Sequence, residues 1–258
     1  MKIKLNLNKS VAQNAQDYFE KAKKARKKLK GALKALEEAK TQLEHARIES
    51  EETINAHKQQ AVKTKRKKHW FEKFRWFHTS QGHLVIGGRD ATTNEIVIKK
   101  HLEEGDLVFH TDMAGSPFFV LKLGGDKATP QEIQEVANAT LTFSRAFKLG
   151  LTTANVFWVT PSQVSKEAQA GEYMAKGAFM IRGKTNYVPC QIDCAIGKCG
   201  ELLECAPRHA LEGRCNQIIT IVQGKKRPSE IAKIIKKKLG GDLDDIIRIL
   251  PSGGMDIR

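Results

Sequence analysis

A short polar motif is the first candidate for chemistry. Gly87-Gly88-Arg89-Asp90 follows the apolar residues 84–86 and precedes a predicted helix over residues 91–102. A glycine turn between a strand and a helix can offer backbone N–H groups to an anion, and Arg89 would add charge. The motif is neither G-x-G-x-x-G nor a Walker sequence. A tight turn with a surface pair of Arg89 and Asp90 is the alternative. In the predicted helix, Asp90 can act as the N-cap and Asn94 lies in the second turn.

The second candidate is the segment of His110, Thr111 and Asp112, which ends a predicted strand over residues 107–111. A histidine and an aspartate at a strand end could perform acid–base chemistry or bind a divalent ion. No serine or cysteine nucleophile signature and no second histidine at metal-ligand spacing lies nearby. An Asx turn at Asp112 and a hydrogen-bonded His110 are the structural alternatives. We therefore favour nucleic-acid contact over catalysis for this pair.

Basic residues supply two further candidates for phosphate contact. Arg182 and Lys184 flank Gly183 at a predicted strand end, where a glycine lets the backbone approach a phosphate; a solvated turn is the alternative. A basic run consists of Lys63, Lys65, Arg66, Lys67 and Lys68. Clustered cations of this kind neutralise phosphate groups. The run leads into an aromatic cluster within residues 70–77, whose large rings predict a core anchor.

The five cysteines are Cys190, Cys194, Cys199, Cys205 and Cys215. The chain starts without an apolar signal core and has no apolar run of the ~20 residues that a membrane span needs. We therefore expect a cytoplasmic protein whose cysteines are thiols. Their spacing fits the paired knuckles of a zinc ribbon only loosely, with His209 as a further possible ligand. We predict neither a metal nor another cofactor.

The charge is unevenly distributed along the chain. Residues 1–76 carry 21 Lys and Arg against 9 Asp and Glu, whereas residues 77–258 carry 23 against 20. The first part thus holds most of the formal net charge of +15. A positive element joined to a nearly neutral domain favours a polyanionic partner, most simply a nucleic acid. A solvated lysine-rich helix without a partner is the alternative.

The first fifty residues predict a long helix with a heptad seam. From about Val11, apolar residues recur in alternating steps of four and three. The seam consists of Tyr18, Ala22, Ala25, Leu29, Ala32, Leu36, Ala39, Leu43 and Ala46. Such a seam must be buried against another helix, and no other long heptad occurs in the chain. The partner could be an identical helix, a helix of another chain, or an arm that this polypeptide lacks.

After residue 75 the chain mixes strands and helices without regular βαβ alternation, which predicts an α+β domain. A hairpin is expected at residues 75–87, a helix over residues 129–149 and a strand over residues 177–182. Residues 188–195 are expected to pair with residues 201–205. A strand at residues 217–222, two helices at residues 228–239 and 242–250, and a tail complete the prediction.

Five segments resemble the C-terminal half of the NFACT family of ribosome quality-control factors. They are WFEKFRWF (residues 70–77), LVIGGRDATTNE (84–95), VFHTDMAGSPFFVLK (108–122), GEY (171–173) and FMIRGK (179–184). The resemblance implies a coiled-coil helix over residues 1–62, an NFACT-R-like RNA-binding domain over residues 63–188 and a small α/β extension over residues 189–258.

The resemblance also implies a function. Family members bind a large ribosomal subunit that still holds an obstructed peptidyl-tRNA, recruit tRNA and promote untemplated extension of the nascent chain. The family's N-terminal domain, helix-hairpin-helix segment and first coiled-coil arm have no counterpart here. The chain is therefore expected to be a binder without the tailing activity, with the large subunit, rRNA and tRNA as partners. The chain is expected to be either one half of a split protein, with a separate N-terminal-half protein as a further partner, or a truncated standalone binder. The heptad seam without a partner favours the first alternative.

Two other classes remain open at this stage. A nucleic-acid- or nucleotide-processing enzyme could use His110, Asp112 and Arg89, although no nucleophile or metal signature supports it. A coiled-coil scaffold could act through the heptad seam alone. We predict a non-enzymatic binding module with no membrane partner.

Overall fold

The computed structural model describes residues 3–60, 67–167 and 175–258, with side chains described throughout except at residues 45, 46 and 48–60. The chain divides into two compact units, residues 1–67 and residues 68–258. The helices are α1 (Val11–Gln60), α2 (Ala91–His101), α3 (Pro130–Thr142), α4 (Arg145–Leu149), α5 (Arg208–Leu211), α6 (Pro228–Leu239) and α7 (Leu243–Ile249). The strands are β1 (Arg75–His78), β2 (Leu84–Gly87), β3 (Leu107–Thr111), β4 (Phe119–Leu121), β5 (Thr153–Val159), β6 (Val164–Ser165), β7 (Met180–Ile181), β8 (Asn186–Gln191), β9 (Ala195–Cys199), β10 (Leu202–Ala206), β11 (Ile218–Lys226) and β12 (Met255–Ile257). The domain boundaries after residues 62 and 188 remain predictions.

The first unit is built on the long helix α1 that the sequence predicts. Ser10 caps it, because Ser10 Oγ accepts a hydrogen bond from Gln13 N at 3.2 Å and Ser10 N donates to Gln13 Oε1 at 2.9 Å. Leu29, Leu36 and Leu43 of the heptad seam are between 53% and 70% exposed. The seam is therefore open to a partner, and coiled-coil pairing remains a prediction.

The second unit is built on a six-stranded antiparallel sheet in the order β1-β2-β4-β3-β5-β8. The predicted hairpin is confirmed, with Arg75 opposite Gly87 in the β1–β2 pair. Successive strand residues point to opposite faces, so Phe109 packs in the same cluster as α3 and Val108 packs with Val97 of α2. Because both faces of the sheet are covered by apolar side chains, the strands appear in the sequence as continuous apolar segments.

The predicted helix over residues 129–149 is two helices, α3 and α4. Ser144 separates them, because its Oγ donates to Leu141 O at 2.6 Å and accepts from Ala146 N at 3.0 Å. Gly150 ends α4 in the left-handed conformation, with φ of 77°. The break starts a new helix at Arg145, whose position matters for the site described below.

The pairing predicted between residues 188–195 and 201–205 is wrong. β8 pairs with β5 at the edge of the first sheet, and the hairpin partner of β10 is β9, with Cys199 opposite Leu202. The chain turns between the two sheets at Asp193. There the Thr142 hydroxyl accepts from Asp193 N at 3.1 Å and donates to Asp193 O at 3.0 Å. This clamp at the end of α3 separates the apolar run into strands of two sheets.

The second sheet has the order β10-β9-β11-β12 and packs with α5, α6 and α7. β12 lies in the segment predicted to be a tail, with Met255 opposite Gln223. One hydrophobic cluster joins Phe77 and Val136 of the first sheet and α3 to Ile231 and Met255 of the C-terminal part. Residues after 188 therefore share a core with the first sheet.

Cys199 and Cys215 form a disulfide that links the end of β9 to the segment before β11. The expectation that all five cysteines are thiols is therefore wrong for this pair, while Cys190, Cys194 and Cys205 are free and buried. In the part of the chain that the structure describes, no group of three or more His, Cys, Asp or Glu could hold a metal ion. None of the helices described there has an apolar stretch sufficient to span a bilayer.

Candidate nucleic-acid interface

A cleft of about 670 Å³ lies in the second unit, between the β2–α2 turn, the β3–β4 loop, the start of α4 and the segment before β7. Four of the predicted candidates line it together: Arg89, Asp90, Asn94 and His110. Basic residues that the sequence analysis did not single out also line it: Arg75, Arg145, Lys148 and Lys176. The cleft is thus a meeting point of cations from segments far apart in the sequence.

Asp90 occupies the N-terminus of α2. Asp90 Oδ1 accepts from Thr93 N at 2.8 Å, and Thr93 Oγ1 accepts from Arg89 N at 2.8 Å and from Asp90 N at 2.9 Å. The hydrogen bond from the Thr93 backbone is the main reason that the pKa of Asp90 is lowered. Because a carboxylate already caps the helix, an anion in the cleft would be held by side-chain cations instead.

Asn94 positions the β2–α2 turn. Asn94 Oδ1 accepts from Phe118 N at 3.2 Å, and Gly88 N donates to Phe118 O at 3.0 Å. A Cβ on Gly88 would lie 1.7 Å from Asn94 Oδ1 and 2.9 Å from Asn94 Cα. On the other side of the turn, Gly177 has φ of 80° and its Cβ would lie 2.5 Å from Ala91 Cα. The two glycines therefore allow the close approach of the segments that form the cleft.

Much of the strand predicted at residues 177–182 is not a strand. Only β7 (Met180–Ile181) is paired, with β6. Gly177 instead packs on the start of α2, and Phe179 packs edge-on against Phe118 with ring centroids 5.5 Å apart. This segment forms one wall of the cleft rather than a sheet edge.

His110 forms part of the cleft wall. Its Nε2 donates to Ser116 O at 3.2 Å, and its ring stacks on Phe118 with centroids 4.2 Å apart. Burial lowers the pKa of His110, so the imidazole is neutral at pH 7. Asp112 is not among the cleft-lining residues, and its carboxylate accepts from Tyr187 OH at 3.2 Å. Of the predicted pair, His110 therefore lines the cleft, whereas Asp112 lies outside it.

Arg75 is the most buried cation of the cleft, with 8% of its surface exposed. Its Nη1 donates to Leu250 O at 3.1 Å, and its guanidinium lies 4.5 Å from the ring centre of Phe143. Burial, followed by the charge of Arg89, lowers its pKa to about 10. Arg75 is therefore charged at pH 7, yet it has no carboxylate partner among the described residues.

The other cations form the rim. Arg89, Arg145, Lys148 and Lys176 are exposed, and none forms an ion pair with a carboxylate in the described part of the chain. The pKa of Arg89 is lowered by burial and then by the charge of Arg248. Like charges thus approach one another around the cleft, and a bound polyanion would relieve their repulsion.

Arg182 and Lys184 lie outside the cleft, although their neighbour Ile181 lines it. Gln163 fixes their turn, because its Nε2 donates to Arg182 O at 2.9 Å and to Lys184 O at 2.8 Å. The contact of both side chains with RNA remains a prediction.

The basic run is described only at its end. Lys68 pairs with Asp245 in the second unit. Lys67 is an exposed residue of the first unit. The remaining members, Lys63, Lys65 and Arg66, and the GEY motif of residues 171–173 lie outside the described residues. The role of the run in RNA binding therefore stays a prediction.

Comparison with known proteins defines the class. Residues 73–183, which hold most of the cleft, match the family of the NFACT protein RNA binding domain. The second unit therefore contains an α+β domain of a known RNA-binding class. Residues 73–183 of this chain thus carry the RNA-binding domain of the NFACT family.

The relatives include full-length ribosome quality-control proteins. The archaeal Rqc2 homolog aRqcH of Methanocaldococcus jannaschii is 37% identical over 207 residues, 77% of this chain and 31% of that protein. Ribosome quality control complex subunit NEMF of Homo sapiens is 42% identical over 130 residues, 50% of this chain and 12% of that protein. This chain thus spans less than a third of the length of these relatives.

One solved structure is also similar. The C-terminal part of the fibronectin/fibrinogen-binding protein from Streptococcus suis matches with a TM-score of 0.40 and 16% identity, over 51% of this chain and 49% of that chain. A likeness at this level defines neither a shared fold nor a shared function.

Proposed function

We propose that this chain is an RNA- and ribosome-binding module of ribosome-associated quality control. It would bind large ribosomal subunits that hold an obstructed peptidyl-tRNA, with rRNA and tRNA as its RNA partners. Such a role would place it in the cytoplasm and would require no chemistry from the chain itself. The observation that carries the proposal is the match of residues 73–183 to the NFACT protein RNA binding domain, and relatives such as human NEMF are named as ribosome quality control complex subunits.

The charges of the described residues support RNA as the partner. Exposed and buried cations without carboxylate partners converge on the cleft, as phosphate contacts require. The geometry does not favour the enzyme alternative, because His110 Nε2 is bonded to the Ser116 carbonyl of its own loop, and Asp112 lies outside the cleft and is bonded to Tyr187.

The exposed seam of α1 supports a second part of the proposal, a helical partner. Leu29, Leu36 and Leu43 present an apolar stripe with the period of a coiled coil. We propose that the stripe pairs with a helix of a separate N-terminal-half protein of the same family. That protein would supply the tRNA-recruiting parts of the complex.

The test is sedimentation of the purified chain with large subunits, prepared either empty or with peptidyl-tRNA. We expect binding to the peptidyl-tRNA-bearing subunits that weakens steeply with salt. Substituting the basic run of residues 63–68 with glutamate should reduce the binding and its salt dependence. Equal binding to both subunit preparations would remove the quality-control part of the proposal, and unchanged binding by the variant would remove the basic run from it.

A further inference from the structure

The charge balance of the cleft is the starting observation. Among the described residues, five cationic side chains line it: Arg75, Arg89, Arg145, Lys148 and Lys176. Asp90 is the one carboxylate among these described lining residues, and it is engaged as the cap of α2. Folding alone gives no reason to collect unpaired cations of one sign around a concavity, because like charges destabilise one another. Such an arrangement is expected where a ligand supplies the negative charge.

Arg75 adds evidence that the site is built for an anion. A buried guanidinium ordinarily needs a charged partner. Among the described residues, the contacts of the Arg75 guanidinium are the Leu250 carbonyl and the face of Phe143. The hydrogen bond to Leu250 uses one of the five N–H donors of a guanidinium. The charge is therefore held rigidly beside the cleft, with donor capacity left for a phosphate oxygen.

The shape and the walls of the cleft select the kind of anion. Its volume of about 670 Å³ is in the range of sites for single small molecules or nucleotides. Pro117, Phe118, Phe179 and Ile181 give it apolar walls, which a phosphate alone would not need. Unstacked nucleotides of single strands and loops can enter a recess of this kind, whereas the paired bases of a duplex cannot.

We infer that the cleft is a binding site for one unpaired nucleotide of single-stranded RNA, with its phosphate held by Arg75, Arg89 and Arg145 and its base against the apolar walls. The inference deepens the proposed function and rests on it for the choice of RNA. Lys148 and Lys176 extend the positive rim along which the neighbouring phosphates would pass.

The C-terminal part of the chain completes this site. Leu250 O fixes Arg75, Ser252 lines the cleft and Arg248 lies close enough to Arg89 to lower its pKa. Gly253 has φ of 127°, and its Cβ would lie 2.9 Å from Lys148 Cα. Arg248, Leu250, Ser252 and Gly253 are outside the matched range of 73–183, so the nucleotide site combines the family domain with α7 and the segment after it.

The test is fluorescence anisotropy of the full chain with a labelled oligouridine, compared with a duplex RNA of equal length. We expect the single strand to bind more tightly than the duplex. The double variant Arg89→Glu with Arg145→Glu should weaken the single strand by about tenfold or more. The slope of log affinity against log salt should fall by about 0.7 for each phosphate that the variant no longer neutralises. Arg248→Glu should also weaken binding, whereas Arg89→Lys should retain most of it because the charge is kept.

The matched control is Lys236→Glu with Lys237→Glu, which makes the same change in net charge on exposed residues of α6 that do not line the cleft. The inference is overturned if this control weakens oligouridine as much as the cleft variant does, or if duplex RNA binds at least as tightly as the single strand. The subunit assay separates the two proposals. If the cleft variant loses oligouridine binding but the parent chain does not bind subunits, the nucleotide site is supported and the quality-control role is rejected. If the cleft variant binds oligouridine as the parent does and the parent chain binds subunits, the nucleotide site is rejected and the quality-control role is supported.

Discussion

Replacing Glu132 with alanine should strongly destabilise the second unit, because this carboxylate ties the start of α3 to the β1–β2 turn. Its side chain is fully buried. Oε1 accepts from Thr79 Oγ1 at 2.8 Å and lies 2.6 Å from His83 Nδ1. Oε2 accepts from Thr129 N and from Thr129 Oγ1, both at 3.0 Å. Alanine would leave these donors without their acceptor.

The magnitude follows from the burial of the network. Removing one partner of a buried, hydrogen-bonded charge pair costs about 3–5 kcal/mol. In a unit of this size each kcal/mol lowers Tm by about 2–4 °C, so Glu132→Ala should lower Tm by about 6–20 °C. Tryptophan fluorescence reports this unit alone, because the three tryptophans, Trp70, Trp76 and Trp158, all lie within it.

The matched control is Glu103→Ala. Glu103 Oε2 also pairs with a cation, Lys122 Nζ at 2.9 Å, but its side chain is 72% exposed. An exposed carboxylate contributes less than about 1 kcal/mol through such a pair. Lys122 would also keep Asp106 as its partner at 2.6 Å, so this variant should melt close to the parent. If Glu132→Ala lowers Tm no more than Glu103→Ala does, the reasoning from the buried network is refuted.

The same network predicts a pH dependence. The hydrogen bond to Glu132 raises the pKa of His83 above 6.5. The contribution of His83 to the free energy of unfolding is therefore complete below pH 6.5 and is lost as pH rises through the pKa of His83 in the folded state. Burial pushes the pKa of Glu132 upward, but hydrogen bonds from Thr129, His83 and Thr79 outweigh it and lower the pKa below 4.5. The contribution of Glu132 is therefore lost as pH falls below 4.5. The contribution of the His83–Glu132 pair to Tm should be largest between about pH 4.5 and 6.5. In Glu132→Ala, Tm should decline less steeply above pH 6.5 than in the parent.

Three further predictions concern other residues. Gly88→Ala should lower the free energy of unfolding, measured by chemical denaturation, by about 1–3 kcal/mol. The added Cβ would lie 2.9 Å from Asn94 Cα and 1.7 Å from Asn94 Oδ1. Denatured but unreduced protein should give three titratable thiols and reduced protein five, since Cys199 and Cys215 are bonded. Cys190 should resist alkylation of the native protein at pH 8, followed by mass spectrometry, because burial raises its pKa to about 11.

Each of these has a clear contrary outcome. Gly31→Ala is the control for the glycine, because nothing lies within 4 Å of its added Cβ; equal stability of the Gly31 and Gly88 variants would contradict the steric argument. Five thiols before reduction would contradict the disulfide. Alkylation of Cys190 at the rate of a free peptide would contradict its burial.

Local features of the fold can be predicted from the sequence. Arg89, Asp90 and Asn94 are recognisable because a strand end, a glycine turn and a helix cap occur together within residues 87–94. The same local signals predict the hairpin and most of the helix limits. They fail at Ser144, where a side chain bonded to the backbone interrupts a continuous helical pattern, and at Asp193, where the contact with Thr142 is long-range.

The cations of the cleft could not be predicted in the same way. Arg75 lies in a strand, and Arg145 and Lys148 lie on a short helix; no periodicity relates them. Arg248, which acts on Arg89 from outside the lining residues, lies on α7. Their meeting depends on strand order and on the packing of the C-terminal part against the first sheet. A sequence shows charges and their neighbours, but only tertiary packing shows which charges remain without partners.

The shared hydrophobic core has a consequence for how this family is divided into modules. The family match ends at residue 183, whereas the apolar cluster continues through Ile231 to Met255. The segment that matches the domain family is therefore shorter than the unit that folds. The matched segment without these later residues would expose the apolar surface that they bury, so a module cut at residue 183 would need another structure to cover that surface.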